Sequence, residues 1–297
     1  MIWLPATLLA ALFQAWRTAV QQRVRADLSV NAAGLVRYLY GFPVACLLLG
    51  LYLAAAGKGI PPLAPILLPF AALGGLAQVI GTLLLIMAFG HRNYVVGTAY
   101  AKTEAVQGAV LALILLGEVL SPLTCLGIAV GVGGVLVLST GGQQLRLADI
   151  VQPAALCGLG AGLMFALTSI FVKRATFAVD SPDKVLAALI VLVVVLFLQL
   201  VMQGSYVLWR ERDQVALVFR TWRVSGQVGV LAALGSACWF TGFATAPVAL
   251  VRIVGQVEVI FTLAFGHFYL KEPVKQSELI GLLLVGSGVV LALLGSL

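Results

Sequence analysis

Charge is scarce in this chain: only 10% of its 297 residues are charged, and histidine occurs twice. A water-exposed domain carries about a quarter charged residues, so little of this surface is built for water. His91 and His267 stand far apart, without a second spaced histidine or a cysteine pair nearby, and read as loop or helix-end residues. A metal centre is excluded on that ground. Cys46, Cys125, Cys157 and Cys238 all fall inside apolar runs with no ligand spacing and act as small hydrophobes. There is no phosphate-cradling glycine loop, no nucleophile elbow and no Cys-His constellation, so neither an enzyme nor a cofactor is expected. The first apolar run also lacks a cationic leader and a cleavage site, and reads as a retained helix.

Apolar residues fill the space that charge leaves, at 62% of the chain. A helix needs about 20 such residues to cross the hydrocarbon core. Ten runs qualify: 2–22, 32–56, 66–89, 95–116, 123–139, 151–172, 185–209, 228–246, 248–270 and 279–294. Backbone polar groups cannot remain unpaired in lipid, and the alternation of a barrel strand is missing, so the runs predict helices. The expected fold is an all-α integral membrane bundle of ten transmembrane helices. The net charge of +7 is scattered over short connections, which argues against nucleic acid as a partner.

A displacement of 154 residues lays the second half on the first without a gap. It superimposes Gly75 on Gly229, Gly81 on Gly235, Thr82 on Ser236, Phe89 on Phe243, Glu104 on Glu258, Glu118 on Glu272, Gly127 on Gly281, and Gly134-Val135 on Gly288-Val289. Internal repetition of this kind sets an architecture before any single motif does. The polar link Thr140 to Arg146 marks the seam, giving repeats over 1–141 and 142–297 with five crossings each. Because five is odd, the second copy enters from the opposite side, and the repeats are expected to be inverted.

Charges inside apolar spans are the strongest functional signal. Arg17, Arg37, Lys102, Glu104, Arg252 and Glu258 fall within or near them, and each costs about 3 kcal/mol at bilayer depth unless compensated. They are therefore paired, hydrated or close to the surface. In the fourth span Tyr100, Glu104 and Gln107 share a helical face, and Lys102 points elsewhere with Thr98. In the ninth, Glu258 mirrors Glu104, while Arg252 and Gln256 occupy the positions of Thr98 and Lys102. The expected substrate site comprises Lys102, Arg252, Glu104, Glu258, Tyr100, Gln107 and Gln256, with Gln78, Thr82, Trp239, Trp16 and Arg17 as further lining candidates. Glu104 and Glu258 are the proton-coupling candidates. The stretch from Arg210 to Arg223 mixes arginines with Trp and Phe and is expected to lie along the membrane interface.

Leu116-Gly117-Glu118, followed by Gly127 and Gly134-Val135, resembles the EamA repeat of the drug/metabolite transporter superfamily. Its partner is Leu270-Lys271-Glu272-Pro273 with Gly281 and Gly288-Val289, where Lys271 replaces the usual glycine. The resemblance implies two five-helix repeats, transport and cytoplasmic termini, and inverted repeats of this kind imply alternating access. Taken with the mid-span charges, it points to a secondary transporter for an amino acid or another carboxylate-bearing or zwitterionic solute, with proton-coupled export as one form. Multidrug efflux of amphipathic cations and an ion channel are the alternatives. The expected setting is a multi-pass protein of a bacterial inner membrane, monomeric or homodimeric, whose partners are the bilayer and a small solute. Loop charge speaks differently on orientation: ten Lys and Arg lie on the side of the first connection and four on the other, which by the positive-inside rule puts both termini outside the cytoplasm.

Overall fold

The computed structural model describes residues 2–24, 28–90, 100–140, 153–261, 264 and 276–296. The seam between the sequence halves, both histidines and Glu272 lie outside these residues. Helices dominate: α1 (Trp3–Val24), α2 (Val30–Ala56), α3 (Leu67–Gly90), α4 (Glu104–Leu116), α5 (Pro122–Thr140), α6 (Pro153–Phe177), α7 (Lys184–Arg210), α8 (Arg212–Arg220), α9 (Trp222–Thr245), α10 (Val248–Gly255) and α11 (Gln276–Leu294). Among the described residues, α2, α7 and α9, with Leu67–Leu85 of α3 and Ala155–Phe177 of α6, are long and apolar enough to cross a membrane. Shorter apolar helices accompany them at Glu104–Leu116, Pro122–Val137 and Leu279–Leu294.

Local chemistry sets the helix ends. The Ser29 hydroxyl accepts from the Ala32 amide at the start of α2, and the Asp183 carboxylate accepts from the amides of Val185 and Leu186 at the start of α7. Both satisfy donors that a helix cannot pair internally. Gly57 and Gly117 end α2 and α4 at φ 61° and 69°, a left-handed conformation in which a Cβ would be strained.

The helices form two compact units, one of Met1–Val79 with Phe171–Thr245, the other of Ile80–Ile170 with Ala246–Leu297. These units cut across the sequence repeat, since each draws helices from both halves. In the first, α9 packs on α1 and α2, and α2 packs on α7. Gly41 and Gly229 bring two of these backbones together, because a Cβ on Gly41 would stand 3.2 Å from the Gly229 carbonyl. Gln199, fully buried in α7, donates to the Gly75 carbonyl at 3.1 Å and to Gln78 Oε1 at 2.7 Å. Outside the helices, the Ala64 amide donates to the Ala178 carbonyl and the Asp180 amide to the Pro62 carbonyl, at 2.9 and 3.0 Å.

In the second unit, α5 and α11 lie backbone to backbone. A Cβ on Gly127 would stand 2.6 Å from the Gly288 carbonyl, and one on Gly134 2.6 Å from the Val285 amide. Small residues thus supply the van der Waals contact that hydrophobic collapse cannot supply between helices in lipid. Helix α10 rests on α4, α5 and α11 with every residue from Val248 to Gly255 buried.

Candidate functional site

Two interruptions define the site. The fourth span is helical at Tyr100 and Ala101, turns at Lys102 and Thr103, and resumes as α4 at Glu104. The ninth ends α10 at Gly255, turns at Gln256 and Val257, and is helical again from Glu258. These turns are the same two positions of the repeat, 154 residues apart. Backbone bonding tightens at each: the Thr103 amide reaches the Tyr100 carbonyl at 3.2 Å, and the amides of Gln256 and Val257 reach Ile253 and Val254 at 3.1 Å. The expectation of one continuous helix, with Lys102 and Glu104 on fixed opposite faces, is corrected accordingly. Helical spacing does not carry through a turn, and the four charges converge.

Each glutamate takes its cation from the other span. Lys102 Nζ donates to Glu258 Oε2 at 3.1 Å, and the Arg252 guanidinium stands 3.4 Å from Glu104 Oε1. All four belong to the second unit. The cations are held unequally. Arg252 also donates through Nε to Ser169 Oγ at 2.8 Å and through Nη2 to the Phe165 carbonyl at 2.6 Å, and its side chain is 9% exposed. Lys102 has Glu258 as its hydrogen-bond partner and is 19% exposed. Gln107 donates to Thr103 Oγ1 at 2.9 Å and to the Leu159 carbonyl at 3.4 Å. The Oε1 atoms of Gln107 and Gln256 are buried without a hydrogen-bond partner among the described residues.

Tyr100 supplies its carbonyl to the Thr103 amide and hydroxyl beside the first turn, and Thr82 is buried in the same unit. Gln78, Trp239, Trp16 and Arg17 belong to the first unit. There Gln78 is bound to Gln199, Trp239 donates to Gln14 Oε1 at 3.0 Å and stacks on Phe243, and Trp16 is 49% exposed. Glu118 is a structural residue: its carboxylate accepts from the Val248 amide at 2.8 Å and caps the start of α10. Ser169 and Thr103 were not among the expected site residues. The polar pair Thr168-Ser169 inside an apolar span was the available signal for the first; for the second there was only its place beside Lys102.

A family model matches residues 1–140 and again 152–294, covering both sequence halves. The chain belongs to the EamA-like transporter family. This EamA-like transporter matches no curated protein. One crystal structure superimposes with a TM-score of 0.73 over 98% of both chains at 16% identity, a likeness of fold alone. Family membership and the apolar helices make it a multi-pass membrane transporter of the drug/metabolite superfamily.

Proposed function

We propose that this EamA-like chain is a secondary transporter for a small zwitterionic or carboxylate-bearing solute, amino acids included, and that it works by alternating access with the Lys102–Glu258 pair as its exchangeable element. What supports this reading is the unequal hold on the two cations. Arg252 is engaged by a carboxylate, a hydroxyl and a carbonyl. Lys102 has a single carboxylate hydrogen bond, to Glu258, to give up. A solute carboxylate would take Lys102 from Glu258, and the released glutamate would receive the solute ammonium or a proton. Amphipathic cations fit less well, because each glutamate already has its own cation.

Transport driven by a pH gradient into proteoliposomes tests the proposal, after a thermal-shift screen of amino acids, organic acids, nucleosides and lipophilic cations has supplied a ligand. Glu258→Gln should abolish the pH-driven component while ligand binding stays detectable, and Lys102→Met should lose carboxylate-bearing ligands. Unchanged pH dependence in both Glu104→Gln and Glu258→Gln would refute proton coupling. Single-channel currents would replace the transporter reading with a channel.

A further inference from the structure

The connection between α7 and α9 presents a surface that transport does not explain. Both flanking helices are long and apolar enough to cross a membrane, so the segment joining them lies where the chain leaves the hydrocarbon. Its inner side is fully committed. Val218 is buried with Leu28, Ala32, Ala33, Val36 and Val228, and its carbonyl accepts from the Tyr40 hydroxyl at 3.1 Å. Glu211 is turned inward, accepting from the Ser29 hydroxyl and from Asn31 Nδ2, while Gln214 Oε1 accepts from the Ser29 amide at 3.0 Å.

Spending Glu211 inward leaves the outer side cationic. Arg210, Arg212, Arg220 and Arg223 are all exposed, against one exposed acid, Asp213. Beside them stand Trp209, Phe219 and Trp222, exposed by 67%, 58% and 58%. The Arg210 guanidinium lies 4.1 Å from the Trp209 ring centre and that of Arg223 5.7 Å from Trp222. Indole rings settle at the headgroup level of a bilayer, and guanidinium groups bind phosphate oxygens in pairs.

We infer that this arginine and aromatic rim binds the phosphate headgroups of anionic lipids and seats α8 on an anionic leaflet. The rings enter the interface, and the arginines beside them reach the phosphates. The proposal is independent of the transported solute.

Brominated lipids test it, since they quench only the tryptophans they touch. In the full chain with Trp3, Trp16 and Trp239 replaced by Phe, Trp209 and Trp222 report this rim. Vesicles mix phosphatidylcholine with phosphatidylglycerol, and the bromine is placed on one or the other at equal mole fraction. Brominated phosphatidylglycerol should quench about twofold more strongly or better, because each arginine near an anionic surface favours it appreciably. The bias should fall with added salt and shrink in R210Q/R212Q and in R220Q/R223Q, two variants made separately so that one misfolded protein does not decide the outcome. Equal quenching by both lipids in the parent protein would overturn the proposal. So would a bias that persists in both variants at unchanged helix content, or one removed by inorganic phosphate at constant ionic strength, which would assign the rim to a soluble anion.

Discussion

Lys102 and Glu258 illustrate how a partly buried ion pair is worth less than the damage done by breaking it. Their side chains are 19% and 12% exposed, so removing one partner leaves a charge poorly solvated. Lys102→Met alone should lower stability by about 3 kcal/mol, and the double replacement of both residues by Met should restore most of that loss. Thermal unfolding of the four proteins of the cycle in one detergent measures the coupling; additive losses would mean that the pair is solvated and structurally idle. A second pair lies outside the spans. Lys58 meets Asp183 at 2.6 Å, beside the Tyr52 hydroxyl at 2.9 Å. Partial burial opposes ionisation of Asp183, but the bonds from Lys58, the Leu186 amide and Tyr52 outweigh it and hold the carboxyl below its usual range. The same bond raises Lys58 above the ordinary lysine range. A lowered carboxylate contributes stability above its unfolded value and loses it as pH falls through the folded one; the raised lysine contributes below its unfolded value and loses it as pH rises through the folded one. The pair therefore supports the fold from weakly acidic to moderately alkaline pH. Melting temperatures of the parent and Asp183→Asn should differ at neutral pH and converge in acid, and a constant difference down to strongly acidic pH would show that the charge is immaterial.

At the scale of elements, the glycines of α5 and α11 are not equivalent, and the sequence pattern does not say which matter. Gly127 meets the backbone of α11, whereas a Cβ on Gly286 would meet nothing within 4 Å. Gly127→Val must force the helices apart and should destabilise by about 3 kcal/mol or more. Gly286→Ala, in the same pair of helices, should be neutral to about 1 kcal/mol stabilising. Detergent melting curves of the two variants separate a contact glycine from a merely helical one, and comparable losses would refute the close approach. Helices themselves were legible, because long apolar runs in lipid leave the backbone no alternative. The turns at Lys102-Thr103 and Gln256-Val257 were not. No proline marks either one, and a glycine precedes only the second. Periodicity placed Lys102 and Glu104 on opposite faces, yet the local tightening of the backbone lets both reach partners on the ninth span. The residue types at the site could be read from their scarcity in apolar spans; their pairing could not, since it depends on a break that no local signal announces.

At the scale of the whole molecule, the duplication was legible from the 154-residue displacement, but the way the chain assembles was not, because a repeat specifies likeness and not adjacency. Helices of the first sequence half pack mainly on helices of the second: α1 and α2 on α9, α2 on α7, α4 on α10, and α5 on α11. Glycine contacts such as Gly127 on Gly288 and Gly41 on Gly229 also join the two halves. A half made alone would expose these small-residue faces to lipid, where nothing replaces the lost packing or the lost partners of Glu104 and Lys102. Residues 1–141 and 142–297 expressed separately should therefore be degraded. Co-expressed from two messages, they should associate, copurify through a tag on either piece, and recover solute transport in proteoliposomes. The opposite result, a stable 1–141 fragment that melts cooperatively without its complement, would mean that the contacts between halves are dispensable and that each repeat is a folding unit in its own right.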